Sequence, residues 1–109
     1  MAVIAKFVYE VKAGRMADFV AKLKQAADPK FNSEVMPKSF RLFHSTVSGP
    51  DTDTVVMLIE YEDMAAYNAR TAYENNNREW KELFAPSPDS PERLIPLELL
   101  TEFNMDDAI

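Results

Sequence analysis

Residues 54–62, TVVMLIEYE, constrain this chain more than any other stretch. A run this rich in β-branched and aromatic residues reads as a strand, with Val55, Met57 and Ile59 on one face. Asp63 then stands where a carboxylate can accept the free amide hydrogens of a helix start. MAAYNARTAYE, residues 64–74, continues as that helix, and Ala66, Ala69, Ala72 and Tyr73 form a small-residue stripe that permits close approach to a sheet. REWKELF, residues 78–84, is a further short helix in which Trp80, Leu83 and Phe84 share a face.

The rest of the chain supplies the partners of this strand and helix. Residues 2–11 alternate as a strand, with Val3, Ala5, Phe7, Tyr9 and Val11 on its apolar face. Gly14 breaks the chain, and Met16, Phe19, Val20, Leu23 and Ala27 follow at helical spacing. Pro29 and Pro37 bracket a less regular stretch with room for a second short helix. SFRLFHSTVSG, residues 39–49, is a strand ending in a turn, and GPDTD, residues 49–53, is a hairpin loop that includes Asp51 and Asp53. APSPDSPER, residues 85–93, carries three prolines and is an irregular loop. LIPLELLTEF, residues 94–103, is the last strand. Residues 1–105 are expected to form one domain, with 106–109 a loose tail.

The order β-α-β-β-α-β is that of the ferredoxin-like α+β fold, a four-stranded antiparallel sheet with helices on one face. Val3, Phe7, Tyr9, Val55, Met57, Ile59, Leu97 and Leu99 are assigned to the helix side. The opposite face carries Ile4, Lys6, Val8, Glu10, Val56, Leu58, Glu60, Glu98, Leu100 and Glu102. That face is half apolar, too greasy for an isolated monomer. Lys6 is expected between Glu60 and Glu98, as paired charges across strands. The pattern predicts a symmetric homodimer whose two sheets form a barrel.

Composition narrows the function. Apolar residues at 47% and aromatics at 11% exclude intrinsic disorder. Residues 1–44 carry eight Lys or Arg against four acids, and residues 45–109 four against fourteen, with no basic cluster for nucleic acid. Cysteine is absent, which removes disulfides and thiolate chemistry and fits the cytoplasm. The N-terminal apolar run is interrupted by Lys6 and Glu10 and is read as a strand, not as a signal peptide or membrane span. Just two glycines, Gly14 and Gly49, leave no phosphate-cradling loop, so nucleotide chemistry is not expected.

The stretch DTVVMLIEYEDMAAYNARTAYENNNREWKELFA, residues 53–85, resembles the dimeric α+β barrel superfamily and, within it, the NIPSNAP-like proteins. The resembling features are a strand ending in an acid, an aromatic-bearing helix, and a short run ending in EW followed by phenylalanine. The resemblance implies the same barrel and a range of activities. Relatives include cofactor-independent monooxygenases, haem-degrading enzymes, lactone isomerases, decarboxylases and proteins with no assigned reaction. Fold analogy does not select among them. By this resemblance Trp80 anchors a short helix closing one end of the barrel, with Arg78, Glu79, Lys81 and Glu82 facing solvent.

Candidate chemistry is sparse. His44, the sole histidine, sits mid-strand on the face of Phe40, Leu42 and Thr46, where an imidazole can serve as a general base. The competing reading is a histidine satisfied at an edge strand. A haem-degrading activity needs an axial ligand, and His44 is the one imidazole available. Glu60, Glu62 and Asp63 form an acidic cluster, but with Asp63 as a cap the ligand set is too small for a metal. Tyr9, Tyr61, Tyr67 and Tyr73 cluster around the first and third strands and the second helix, and can orient a planar ligand or serve as core with polar tips. Arg41 is suited to a ligand carboxylate or enolate, or equally to an acid of the strongly negative C-terminal half. The sequence therefore predicts a small planar apolar ligand between sheet and helices, with no metal or cofactor. His44 is the catalytic candidate, and Arg41, Tyr61, Tyr67 and Trp80 are the binding candidates. A non-enzymatic dimerisation or accessory module is the alternative.

Overall fold

The computed structural model describes residues 1–45, 52–103 and 105–107. The elements are β1 (Val3–Lys12), α1 (Met16–Ala26), β2 (Ser39–His44), β3 (Thr52–Tyr61), α2 (Met64–Asn76), α3 (Arg78–Leu83) and β4 (Glu92–Thr101). One-turn 3-10 helices at Pro29–Phe31 and Met105–Asp107 complete them, the first lying in the stretch between Pro29 and Pro37. The sheet is antiparallel throughout, in the order β2-β3-β1-β4. This is the ferredoxin-like α+β arrangement.

Local chemistry accounts for the element ends. Gly14 turns the chain between β1 and α1 at φ 75°, a conformation in which a Cβ is strained. Asp63 caps α2, its Oδ1 accepting from the Ala66 amide at 2.8 Å. Asn77 ends α2 and caps α3 in the same way, accepting from the Trp80 amide at 3.0 Å. The pairing of β1 with β4 shifts register between Lys6 and Val8, beside Pro96. A proline has no amide hydrogen to give a ladder, and an edge strand with a bulge is where it is tolerated.

The core lies on the helix side: Tyr9, Val11, Phe19, Val55 and Met57 are buried together, and Phe7, Met16, Leu23 and Ile59 pack against them. The face assignments made from alternation hold, since the register sets Tyr9 opposite Val55 and Phe7 opposite Met57. The helices cover β1 and β3 well but the edge strands poorly. Leu97 and Leu99 on the helix side of β4, and Phe40 and Leu42 on that of β2, stay exposed.

Several expectations are corrected. Asp53 lies within β3 rather than in the hairpin loop, because β3 begins at Thr52; the turn residues 46–51 are outside the described residues. β4 starts and ends two residues earlier than expected. The tail residues 108 and 109 are also outside the described residues. Lys6 pairs with Glu98 at 4.0 Å, whereas Glu60 stands opposite Ile4 and approaches Lys38 at 3.7 Å. The alanine stripe of α2 does not face the sheet: Ala69 and Ala72 are exposed, and Tyr67, Arg70, Tyr73 and Glu74 turn inward.

Candidate functional site

At 3.6 residues per turn, positions 67, 70, 71 and 74 of α2 fall on one side. Here that side carries Tyr67, Thr71 and two charges, Arg70 and Glu74, and it is the side that packs on β3. Arg70 is 3% exposed, the one charged residue fully buried among those described. A guanidinium cannot shed its charge to relieve burial, so its surroundings must satisfy it. They do so with hydrogen-bond acceptors and two aromatic rings. Nε donates to Glu74 Oε2 at 2.9 Å, and Nη1 donates to the Phe31 carbonyl at 2.7 Å and to Ser33 Oγ at 3.0 Å. The Tyr73 ring lies 4.7 Å from the guanidinium carbon and the Trp80 ring 5.2 Å. Charge-assisted bonds and cation–π contacts of this kind gain strength where water is excluded.

Glu74 is the other half of the pair. Burial raises its carboxyl above the ordinary carboxylate range, and the hydrogen bond and charge of Arg70 pull partly against that rise. Its charge reaches two phenols on the sheet. Tyr61, 3% exposed, is pushed up to about 12, chiefly by burial and then by Glu74. Tyr9 is raised further, by burial first and then by Glu92 and Glu74. Both phenols are therefore neutral donors across the physiological range. Tyr61 meets the Tyr67 ring edge to face at 5.4 Å. Glu92 itself is held by Lys22 through bonds of 3.0 and 2.9 Å, a nearly buried pair that joins α1 to β4.

Trp80 lies at the border of this cluster. It is half-buried, packed against Phe31 at 5.3 Å and Phe84 at 5.0 Å, while Arg78, Glu79, Lys81 and Glu82 around it are exposed. Its polar setting in the sequence is thus the solvent side of α3, and its apolar ring closes over Arg70.

The structure brings Tyr61, Tyr67 and Trp80 to one region and leaves His44 and Arg41 apart. His44 is the last residue of β2 rather than a mid-strand residue, 61% exposed, with Nε2 3.8 Å from Asp53 Oδ1. It shares the helix-side row of Val55 and Tyr9, two strands from Tyr9 and so roughly 10 Å away at ordinary strand spacing. Arg41 stands opposite Leu58 on the other face of the sheet, its guanidinium 5.0 Å from the Phe43 ring. Among the described residues, two clefts open at the surface of the helix layer. One of about 500 Å³ is lined by Asn75, Asn76, Arg78, Lys81, Glu82 and Ala85. The other, of about 380 Å³, lies between α1 and α3 against Asp28, Lys30, Phe31 and Glu79. Neither has His44, Arg41, Tyr61, Tyr67 or Trp80 in its lining. No group of three or more metal-ligating side chains occurs among the described residues. No described helix is long and apolar enough to cross a membrane.

The sequence reading missed Arg70 and Glu74, although a signal was present. An Arg and a Glu four apart on a helix can pair along one face, and here that face was the one turned inward.

A four-stranded antiparallel sheet with helices on one face, and a polar cluster between them, defines the class as ferredoxin-like α+β. Within that class the chain belongs to the NIPSNAP family, whose profile matches residues 7–92. No protein of curated function matches it significantly. Among solved structures it is similar to a dimeric ferredoxin-like protein from an uncultured marine organism, at 15% identity over 94% of this chain and 98% of that one, with a TM-score of 0.64. It is also similar to a NIPSNAP-like domain protein from Burkholderia xenovorans, at 18% identity over 95% and 87%, with a TM-score of 0.61. A third neighbour, from Bordetella bronchiseptica, is provisionally named an antibiotic biosynthesis monooxygenase, at 17% identity over 95% and 100%, with a TM-score of 0.59. At these identities the likeness establishes the fold alone.

Proposed function

We propose that this NIPSNAP-family protein is a homodimeric α+β barrel subunit of the cytoplasm that binds a small, planar, largely apolar organic molecule between sheet and helices. On this reading it transforms that molecule without nucleotide or metal, in the manner of a cofactor-independent monooxygenase or an isomerase. One observation carries the reading: the buried Arg70 and its partner Glu74 sit near Tyr61 and against the Tyr73 and Trp80 rings, a polar cluster between α2 and the sheet. Titratable groups perturbed by burial and a specific charge partner are candidates for a functional site. The monooxygenase name of the Bordetella neighbour agrees with it.

Tyr61 and Tyr67 form the edge-to-face wall and Trp80 closes the outer side; His44, opposite Val55 and six residues along β3 from Tyr61, lies roughly 20 Å away and takes no part in that pocket. Arg41 takes no part in that pocket; its guanidinium is available to a carboxylate at the dimer seam. Calorimetric titration with 2-naphthol, a planar ligand with one hydroxyl, tests the reading. Saturable binding is expected, weakened about tenfold by Tyr67→Ala through loss of one aromatic contact.

A second reading, a dimerisation or accessory module without chemistry, draws on the position of the two open clefts, which miss these residues. Absence of any saturable heat with 2-naphthol favours it.

A further inference from the structure

We propose that Glu74 is a proton acceptor for a planar carbon acid, a ring-fused ketone bearing acidic hydrogens beside its carbonyl, with Arg70 as the positioning residue. The inference rests on the ligand-binding reading above and adds to it a residue, a step and a substrate class.

The geometry supports this on three counts. Arg70 fixes one carboxylate oxygen, Oε2, at 2.9 Å, and is itself immobilised by Phe31, Ser33 and the rings of Tyr73 and Trp80. The second oxygen, Oε1, receives none of the hydrogen bonds among the described residues, so a lone pair is free on a carboxylate whose orientation is set. A quarter of the Glu74 side chain remains exposed, against 4% of that of Arg70, so Glu74 is the member of the pair open to a ligand.

The charge balance suits proton abstraction. Arg70 is a permanent cation, and the compensating negative charge resides on Glu74. In the step, Oε1 forms an O–H bond as the substrate C–H bond breaks. The bonding pair enters a carbon–carbon double bond, and the carbonyl oxygen takes the negative charge as an enolate. The anion has moved from Glu74 to the ligand while the cation beside it stays in place. Return of the proton to the same or a neighbouring carbon completes an enolisation or isomerisation, with no oxidant or reductant consumed.

The test uses 2-tetralone in deuterated buffer. Binding is followed by quenching of Trp80 and exchange of the hydrogens beside the carbonyl by proton NMR. The wild-type protein is expected to bind the probe and accelerate exchange over buffer. Glu74→Gln still accepts from Arg70 but has no basic oxygen, and it is expected to bind equally while losing the acceleration about a hundredfold, the scale on which a positioned base acts. Glu74→Asp keeps the ionic partner of Arg70 and retains part of the rate, which guards against misreading a folding defect in the glutamine variant. Exchange by Glu74→Gln at the wild-type rate overturns the assignment, as does wild-type binding without acceleration; both leave the ligand-binding reading standing. Absence of quenching and of exchange together removes both.

Discussion

Arg70 concentrates the energetics of the site in one side chain. Its removal strands the Glu74 carboxylate in a water-poor layer and leaves the Phe31 carbonyl and Ser33 hydroxyl without their donor. Arg70→Ala is therefore expected to destabilise the protein by about 3–5 kcal/mol, read from urea unfolding. His44→Ala should leave stability nearly unchanged, because the imidazole is largely exposed. Tyr61 makes a pH-dependent contribution. Its phenol titrates at 10.0 when unfolded and about 12 when folded. The native state thus holds the proton longer, so this stability is fully present below pH 10 and lost as pH rises through about 12. Thermal melts from pH 10 upward should show the wild type losing stability faster than Tyr61→Phe. The Tyr61–Tyr67 contact was legible in the sequence because the two fall on a strand and a helix that must pack together, whereas Tyr9 packs with Phe7 and Phe19 and Tyr73 with Arg70. Arg70 and Glu74 were not, because periodicity arguments send apolar and small residues inward and charges outward. Only packing against β3 and the Phe31 turn reverses that order in α2.

Elements whose ends rest on local chemistry were legible to within a residue or two. Asp63 was read as a cap and is one. Asn77 performs the same function for α3 and went unread, since three consecutive asparagines give no sign of which one caps. Asn77→Ala should cost about 1 kcal/mol in thermal unfolding, the usual value of a lost N-cap. Trp80 anchors that helix as expected, but half-buried rather than enclosed. Trp80→Ala is expected to cost about 2 kcal/mol, below the 3–5 kcal/mol of a fully buried aromatic. The sequence places the start of β4 too late because Glu92 and Arg93 close the proline-rich polar run APSPDSPER, which looks like loop. In the fold, Glu92 meets Lys22 and Arg93 meets Glu10 at 2.8 Å, and those pairings admit both to the strand.

At the scale of the whole molecule, the two faces of the sheet have different work. The helix side holds the core and the polar cluster. The opposite side presents Phe43, Val56, Val8 and Ile95 in one row across all four strands, and Arg41, Leu58, Lys6 and Glu98 in the next. An apolar row flanked by a row of mixed charge suits the same surface on a second copy rotated by a two-fold axis. Alternation revealed this face in the sequence, because side chains on neighbouring strands must share it once the strand order is set. On this account Leu58→Arg introduces an unpaired charge at the centre of the seam and separates the copies. Sedimentation equilibrium at micromolar concentration tests the claim most directly. The account predicts a mass of twice 12.4 kDa for the wild type and 12.4 kDa for Leu58→Arg; a wild-type mass of 12.4 kDa at every concentration contradicts it.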